Sequence, residues 1–168
     1  MTELFDEFPC LENDKVMIRK MELSDVVALS EISNNDNVYK YIPPFLYKKS
    51  IKALETAIKN FGGRDFEKKK YIIAGIYLKD NPNRLVGLAE MFDYKKRENK
   101  ITVGYRLNEE YWNKKIATNV LKLMVEYLVS EVNITTLKAF VMRENLYSSK
   151  VLLNNKFVKE DYTSQEKN

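Results

Sequence analysis

ITVGYRLNEEYWNKKIATNVLKLMVEYLV, residues 101–129, decides the fold. Its opening, Ile101–Leu107, is β-branched and aromatic enough to read as a strand. A short polar turn follows. From Ile116 onward apolar residues recur at Val120, Leu123, Met124, Tyr127 and Leu128, the 3.6-residue period of a helix with one buried face. A polar turn that opens straight into a helix presents unpaired N–H groups at the positive end of the helix dipole. Such a turn is suited to anions, phosphates in particular.

Working outward, Val16–Lys20 reads as a short strand and Ser24-Asp25 as a helix start. Ile51, Leu54, Ile58 and Phe61 keep helical spacing until Gly62-Gly63 ends the run. Tyr71–Leu78 predicts a strand, and Asn81-Pro82-Asn83 a turn. Arg84–Phe92 and Ile101–Leu107 predict an antiparallel meander about the charged Asp93–Lys100 turn. Downstream, Ile134–Val141 predicts a strand, Leu146–Asn155 a helix and Phe157–Tyr162 a last short strand. Without a repeat, linker or low-complexity tract, the expectation is one α/β domain over residues 1–168 with a mixed sheet.

Composition narrows the function. A chain of 168 residues suits one domain with a well-buried core. Its 45% hydrophobic and 31% charged residues fit a soluble globular protein. No apolar run is long enough to span a bilayer, and the acidic MTELFDEF start is unlike a signal peptide, so a cytoplasmic protein off the membrane is expected. One cysteine, Cys10, gives neither a disulfide framework nor a metal cluster. The net charge of +4 is mild, and KKRENK (95–100) and EKKK (67–70) read as solvated turns rather than a nucleic-acid stripe. There is no histidine at all. That removes Ser-His and Cys-His nucleophile systems and histidine metal sites, leaving acid–base work to Glu, Asp, Tyr, Ser, Lys, Cys or water.

WNKKIAT (112–118) resembles the pyrophosphate loop of the GNAT N-acetyltransferase superfamily, Q/R-x-x-G-x-G/A. It is most similar to the W-G-K-G-Y-A-T form of the branch that acetylates ribosomal-protein N-termini and related small amines. Three further matches stand in order. FPCLENDKVMIRKM (8–21) resembles that branch's opening strand, NDNVYKYIPP (35–44) its turn after the first helix, and RENLYSSKVLLNNKF (143–157) its second signature, N-x-x-S-x-x-V-L-x-x-x-G-F. The chain departs from the pattern where Asn113, Lys115 and Lys156 replace glycines. A side chain at such a position costs about 1 kcal/mol if the backbone is left-handed. Lys114 and Lys115 either compensate with ammonium groups near the phosphates or reflect only the abundance of lysine.

The resemblance implies a GNAT-like fold: a mixed central sheet flanked by about four helices. The family's final strand is missing, because only TSQEKN follows. An edge so exposed is left open, closed differently or covered by a neighbour, and a homodimer contact is the reading favoured here. It also implies acetyl-CoA as cosubstrate, no metal, and direct attack by a primary amine, a protein N-terminus or a small molecule, in a ternary complex. Pyrophosphate would lie on the backbone of Trp112, Asn113, Lys114, Lys115, Ile116, Ala117 and Thr118. Pantetheine would lie in a splay between the 101–107 and 134–141 strands, with a backbone N–H near Val103, Gly104 or Tyr105 holding the thioester oxygen. Gly104 is otherwise a strand bulge.

Asn145 and Ser148 match signature positions that contact the cofactor. Asn145 is alternatively just a helix cap, and Ser148 just a first-turn serine. In the functional reading Ser148 protonates the leaving thiolate. Many relatives carry a glutamate where this chain has Thr102. Glu90 is then the nearest carboxylate to act as base, against an exposed strand acid or removal of the proton through water. Tyr105 and Tyr147 are further candidates among 11 tyrosines, most of which must be structural. The acceptor pocket is expected around Tyr39–Tyr47 and Phe92. A non-catalytic CoA-binding or protein-interaction domain is the alternative.

Overall fold

Six strands form one sheet in chain order in a computed structural model that describes residues 2–142 and 144–160. β1 (Leu11–Glu12), β2 (Val16–Arg19), β3 (Ile72–Leu78), β4 (Asn81–Lys95) and β5 (Lys100–Leu107) run antiparallel to their neighbours. β6 (Thr136–Lys138) lies parallel to β5. Parallel neighbours need a long crossover, and α4 (Ile116–Glu126) with the π-turn Tyr127–Glu131 supplies it. Two helices, α1 (Val26–Ser33) and α2 (Ile51–Gly62), precede the sheet's centre, followed by the one-turn α3 (Arg64–Glu67); α5 (Leu146–Asn154) comes last. The mixed sheet and four helices of two turns or more agree with the expected GNAT-like architecture.

Strand alternation divides the apolar residues between two clusters. On β3, Ile72, Ala74 and Ile76 face a core built with Ile116, Val120, Leu121 and Met124 of α4. Ile73 and Tyr77, turned the other way, meet Leu29 of α1 and Leu54, Ile58 and Phe61 of α2. The sheet therefore has a separate core on each face.

The helix start at Ser24-Asp25 holds, with α1 entered through a 3₁₀ turn in which Glu22 and Asp25, not Ser24, form the capping box, while three other local expectations need correction. Asp25 also accepts from the buried Tyr77 hydroxyl at 2.6 Å. Asn81-Pro82-Asn83 belongs to β4, and the register slips around Tyr77 and Leu78 absorb the extra residues. The strand expected over 134–141 keeps only Thr136–Lys138, because beyond Lys138 it has left its partner. Phe157–Glu160 form no strand; Asp161 and Tyr162, like TSQEKN, lie outside the described residues. Among the described residues, β6 has no strand on its outer side.

Candidate active site

β5 is the axis of the site. It pairs with β6 only from Lys100 to Thr102, while its ladder with β4 continues to Leu107. From Val103 onward, one backbone edge of β5 has no strand partner among the described residues, which leaves a wedge between β5 and β6. Gly104 sits there in regular register opposite Glu90, so it is not a bulge. A Cβ at this position would meet only Phe92, at 3.8 Å. The missing side chain leaves open space over the strand.

At the end of β5 the chain turns into the 112–118 loop. Trp112 is partly buried and its indole Nε1 donates to the Leu107 carbonyl at 3.0 Å, tying the loop to the strand. Asn113 (φ 60°) and Lys115 (φ 62°) are both left-handed, at the two places where the family motif has glycine. Asparagine tolerates this region; lysine is strained there by about 1 kcal/mol. No side chain caps α4, so its first-turn N–H groups point outward to an acceptor from elsewhere. Ile116 and Ala117 are buried beneath it. The Thr118 carbonyl accepts from Asn155, the residue just after α5, at 3.4 Å. Lys114 is exposed and lies over the Tyr111 ring at 5.5 Å. Lys115 is exposed.

Across the wedge, α5 brings Ser148 to β5. The hydroxyls of Ser148 and Tyr105 are 3.0 Å apart. Burial pushes the Tyr105 phenol up to about 12, against the opposing effect of the Ser148 hydrogen bond, so it keeps its proton at neutral pH. Asn145 caps α5: its Oδ1 accepts from the Ser148 backbone N–H at 3.2 Å. The cap reading of Asn145 is thus present, while its amide N–H₂ makes no hydrogen bond among the described residues. Tyr147 packs partly buried against the core on the α4 face. Lys156 (φ 67°) is a third left-handed residue on a family glycine position, just after α5.

The opposite face of β5 carries Arg106. Its Nε and Nη2 hold both oxygens of Glu90, at 2.8 and 3.0 Å. Glu90 is therefore no exposed strand acid: it is 7% accessible, and Arg106 6%. Nη1 of Arg106 donates to the carbonyls of Phe45 (2.9 Å) and Pro43 (3.4 Å). The guanidinium lies 5.4 Å from the Tyr39 and Phe45 rings alike. Burial alone would disfavour its charge; Glu90 and then Tyr39 more than offset this and hold it above the ordinary arginine range. The segment 34–50 is thereby fixed over the sheet as one wall of the space beside Gly104. Tyr39 also stacks on Tyr47 at 4.8 Å, and Asn35 and Asn37 donate to Glu109 at 3.0 and 3.1 Å.

The acetyltransferase (GNAT) domain profile matches residues 15–158. The chain belongs to this family. It is an acetyl-CoA-dependent acetyltransferase by that membership. An uncharacterized N-acetyltransferase of Bacillus subtilis, YoaA, is 27% identical over 158 residues, covering 94% of this chain and 88% of the relative. A GNAT-family acetyltransferase structure from Bacillus anthracis shares the fold with a TM-score of 0.78 at 22% identity, covering 92% of this chain and 86% of that one. A ribosomal-protein alpha-N-acetyltransferase, RimL, in complex with coenzyme A, superposes with a TM-score of 0.77 at 15% identity, covering 91% and 86%. The ribosomal-protein branch suggested by the motifs is thus represented among the structures that share this acetyltransferase's fold.

The fold of this acetyltransferase brings together most residues singled out in the sequence. Val103, Gly104 and Tyr105 line the wedge, Asn113–Thr118 close one end, and Asn145 and Ser148 stand on its far side. Thr102 is buried in the last paired rung between Phe92 and Lys138. Trp112 contributes an anchor from its side chain, leaving only its backbone toward the loop. The residue missed is Arg106. Its one sequence signal was the alternation of β5, which places it on the face of Glu90's strand neighbour; its loop partner Phe45 is 61 positions away.

Proposed function

We propose that the chain is a single-domain N-acetyltransferase of the cytoplasm, moving acetyl from acetyl-CoA to a primary amine by direct attack in a ternary complex. The observation that carries this is the wedge between β5 and β6 ending at an uncapped helix, with Ser148 and Tyr105 joined across it. Acetyl-CoA supplies the activated acyl group. The unpaired donors at the start of α4, and the left-handed Asn113 and Lys115 that shape the turn, suit its pyrophosphate. The free backbone edge of Val103–Tyr105 suits pantetheine and the thioester oxygen. Ser148 donates a proton to the departing sulfur and regains one from solvent, which takes up the proton the amine releases, while the hydrogen bond to the Tyr105 phenol holds the Ser148 hydroxyl in place. Tyr147 flanks this pair. Glu90 has both oxygens engaged by Arg106, so the amine loses its proton through solvent instead. A protein N-terminus is the favoured acceptor, in line with RimL, a ribosomal-protein alpha-N-acetyltransferase of the same fold. A second copy covering the outer edge of β6 is the expected homodimer contact.

Thermal melting with coenzyme A tests the cofactor site. At a hundredfold excess over its dissociation constant, the ligand adds about 2.7 kcal/mol of stability. A melt unmoved at millimolar coenzyme A overturns the reading. Thiol release from acetyl-CoA with an amine panel then tests catalysis: binding without release in the presence of any amine assigns a non-catalytic CoA-binding domain instead.

A further inference from the structure

We infer that Arg106 is a positioning residue for the acceptor: with Glu90 it latches segment 34–50 to the sheet beside Gly104, and amine affinity depends on that latch. This rests on the N-acetyltransferase reading above. Stability alone does not account for the pair. A buried ion pair is commonly no more stabilising than apolar side chains of the same volume, because desolvation offsets the attraction. What it does supply is direction, since the planar guanidinium fixes several partners at set angles.

Here those partners belong to one wall. All three guanidinium nitrogens are used: two on Glu90 and one on the carbonyls of Pro43 and Phe45. The Phe45 carbonyl also takes the Tyr39 hydroxyl at 2.6 Å, so both aromatic rings are set against the same cation. Segment 34–50 contains no helix or strand of its own. Its other ties run from the Lys48 N–H to the Ser33 carbonyl, from the Ser33 hydroxyl to the Leu46 carbonyl, and from Asn35 and Asn37 to Glu109 in the turn after β5, so the bonds to the sheet itself are those of Arg106. Glu90 is directly opposite Gly104 in the ladder, so the latch borders the open space. Neighbouring β5 residues thus serve opposite sides: Tyr105 reaches Ser148 on the cofactor side, and Arg106 the wall on the other.

The test uses Arg106→Met, Arg106→Lys and Glu90→Gln in the full chain. Coenzyme A affinity is read by calorimetry. Hydrogen exchange is read over residues 34–50. Steady-state kinetics use acetyl-CoA with peptides bearing free N-terminal serine or alanine and with small primary amines. Arg106→Met should raise the amine KM about tenfold, with a smaller fall in kcat and coenzyme A affinity within about twofold of the parent. Exchange over 34–50 should quicken. Arg106→Lys, which keeps charge without the fork, should recover part of the amine affinity. Glu90→Gln should act in the same direction and less. Unchanged exchange over 34–50, or loss of coenzyme A affinity in step with amine affinity, overturns the inference. If the parent acetylates none of these amines, the proposed function fails, while exchange in the variants still decides for or against the latch. Should Arg106→Met not fold, Arg106→Lys and Glu90→Gln carry the same comparison.

Discussion

Lys115 holds a backbone conformation that side chains disfavour, and it is one of ten non-glycine residues with positive φ among the described residues, where no glycine takes that role. Asparagine and aspartate carry part of this burden at small expense; Phe5, Leu46, Lys48, Lys69, Lys115 and Lys156 do not have that advantage. Lys69 follows α3 far from the loop and isolates the backbone effect. Lys69→Gly and Lys115→Gly should each raise stability by about 1 kcal/mol, or 2–4 °C in melting temperature for a chain of this size. Melting curves of the two variants check this. Coenzyme A titration of Lys115→Gly then separates its two roles. Affinity unchanged, or tighter by up to about tenfold, means the side chain only obstructs or compensates; a loss beyond about tenfold, 1.4 kcal/mol, identifies the ammonium as a principal phosphate ligand. The family motif made the positions legible in the sequence. That lysine adopts the glycine conformation there, rather than reshaping the turn, was not.

At the scale of elements, the helices and the paired parts of strands were legible because period and pairing coincide. Ile116 to Leu128 and Leu54 to Phe61 each announce one buried face, and the sheet uses those faces; Ile51, at the first position of α2, stays exposed. The strand expected over 134–141 is shorter in the structure for a physical reason: its composition favours extension throughout, but only Thr136–Lys138 find a partner. The departure of β6 from β5 is a relation between two elements, invisible in either alone. So is the Arg106 latch. The meeting of α5 with β5 gives the corresponding prediction. Ser148→Ala removes the hydroxyl nearest the expected sulfur and should lower kcat about ten- to hundredfold, at the lower end of positioned acid catalysis. The KM for acetyl-CoA should move less, because the pyrophosphate end of the site is remote from the change. Steady-state assays of the folded variant decide the matter: full kcat at saturating cofactor would leave Ser148 only the structural place that its bond to Tyr105 gives it.

Across the whole molecule, buried phenols set an alkaline limit. Tyr77 is held well above the ordinary phenol value of 10.0, first by burial and then by its bond to Asp25. Burial likewise pushes Tyr105 up to about 12. In the unfolded chain these groups ionise near their ordinary value, so above it the unfolded state binds fewer protons than the folded one. Stability from this source is complete below about pH 10 and falls as pH rises from about 10 to 12. Each phenol kept protonated contributes a slope of about 1.4 kcal/mol per pH unit in that window. Melting temperature should be flat from pH 7 to 9 and drop above 10, and Tyr77→Phe should make the drop shallower while lowering the neutral-pH value through the lost bond. A profile of equal steepness in parent and variant would show that Tyr77 is not a source of the limit.

The two cores, one on each face of the sheet, have an evolutionary consequence. The α4 face underlies the loop expected to hold a cosubstrate common to the whole family, whereas the α1–α2 face underlies the wall expected to meet the acceptor. Substitutions that share no neighbours combine almost independently. Descendants of this chain can therefore repack around Leu29, Leu54 and Phe61 in search of new amines without disturbing the machinery beneath α4. Residues rooted in the strands that both halves share, Glu90 and Arg106 among them, stand where innovation on one side is felt by the other.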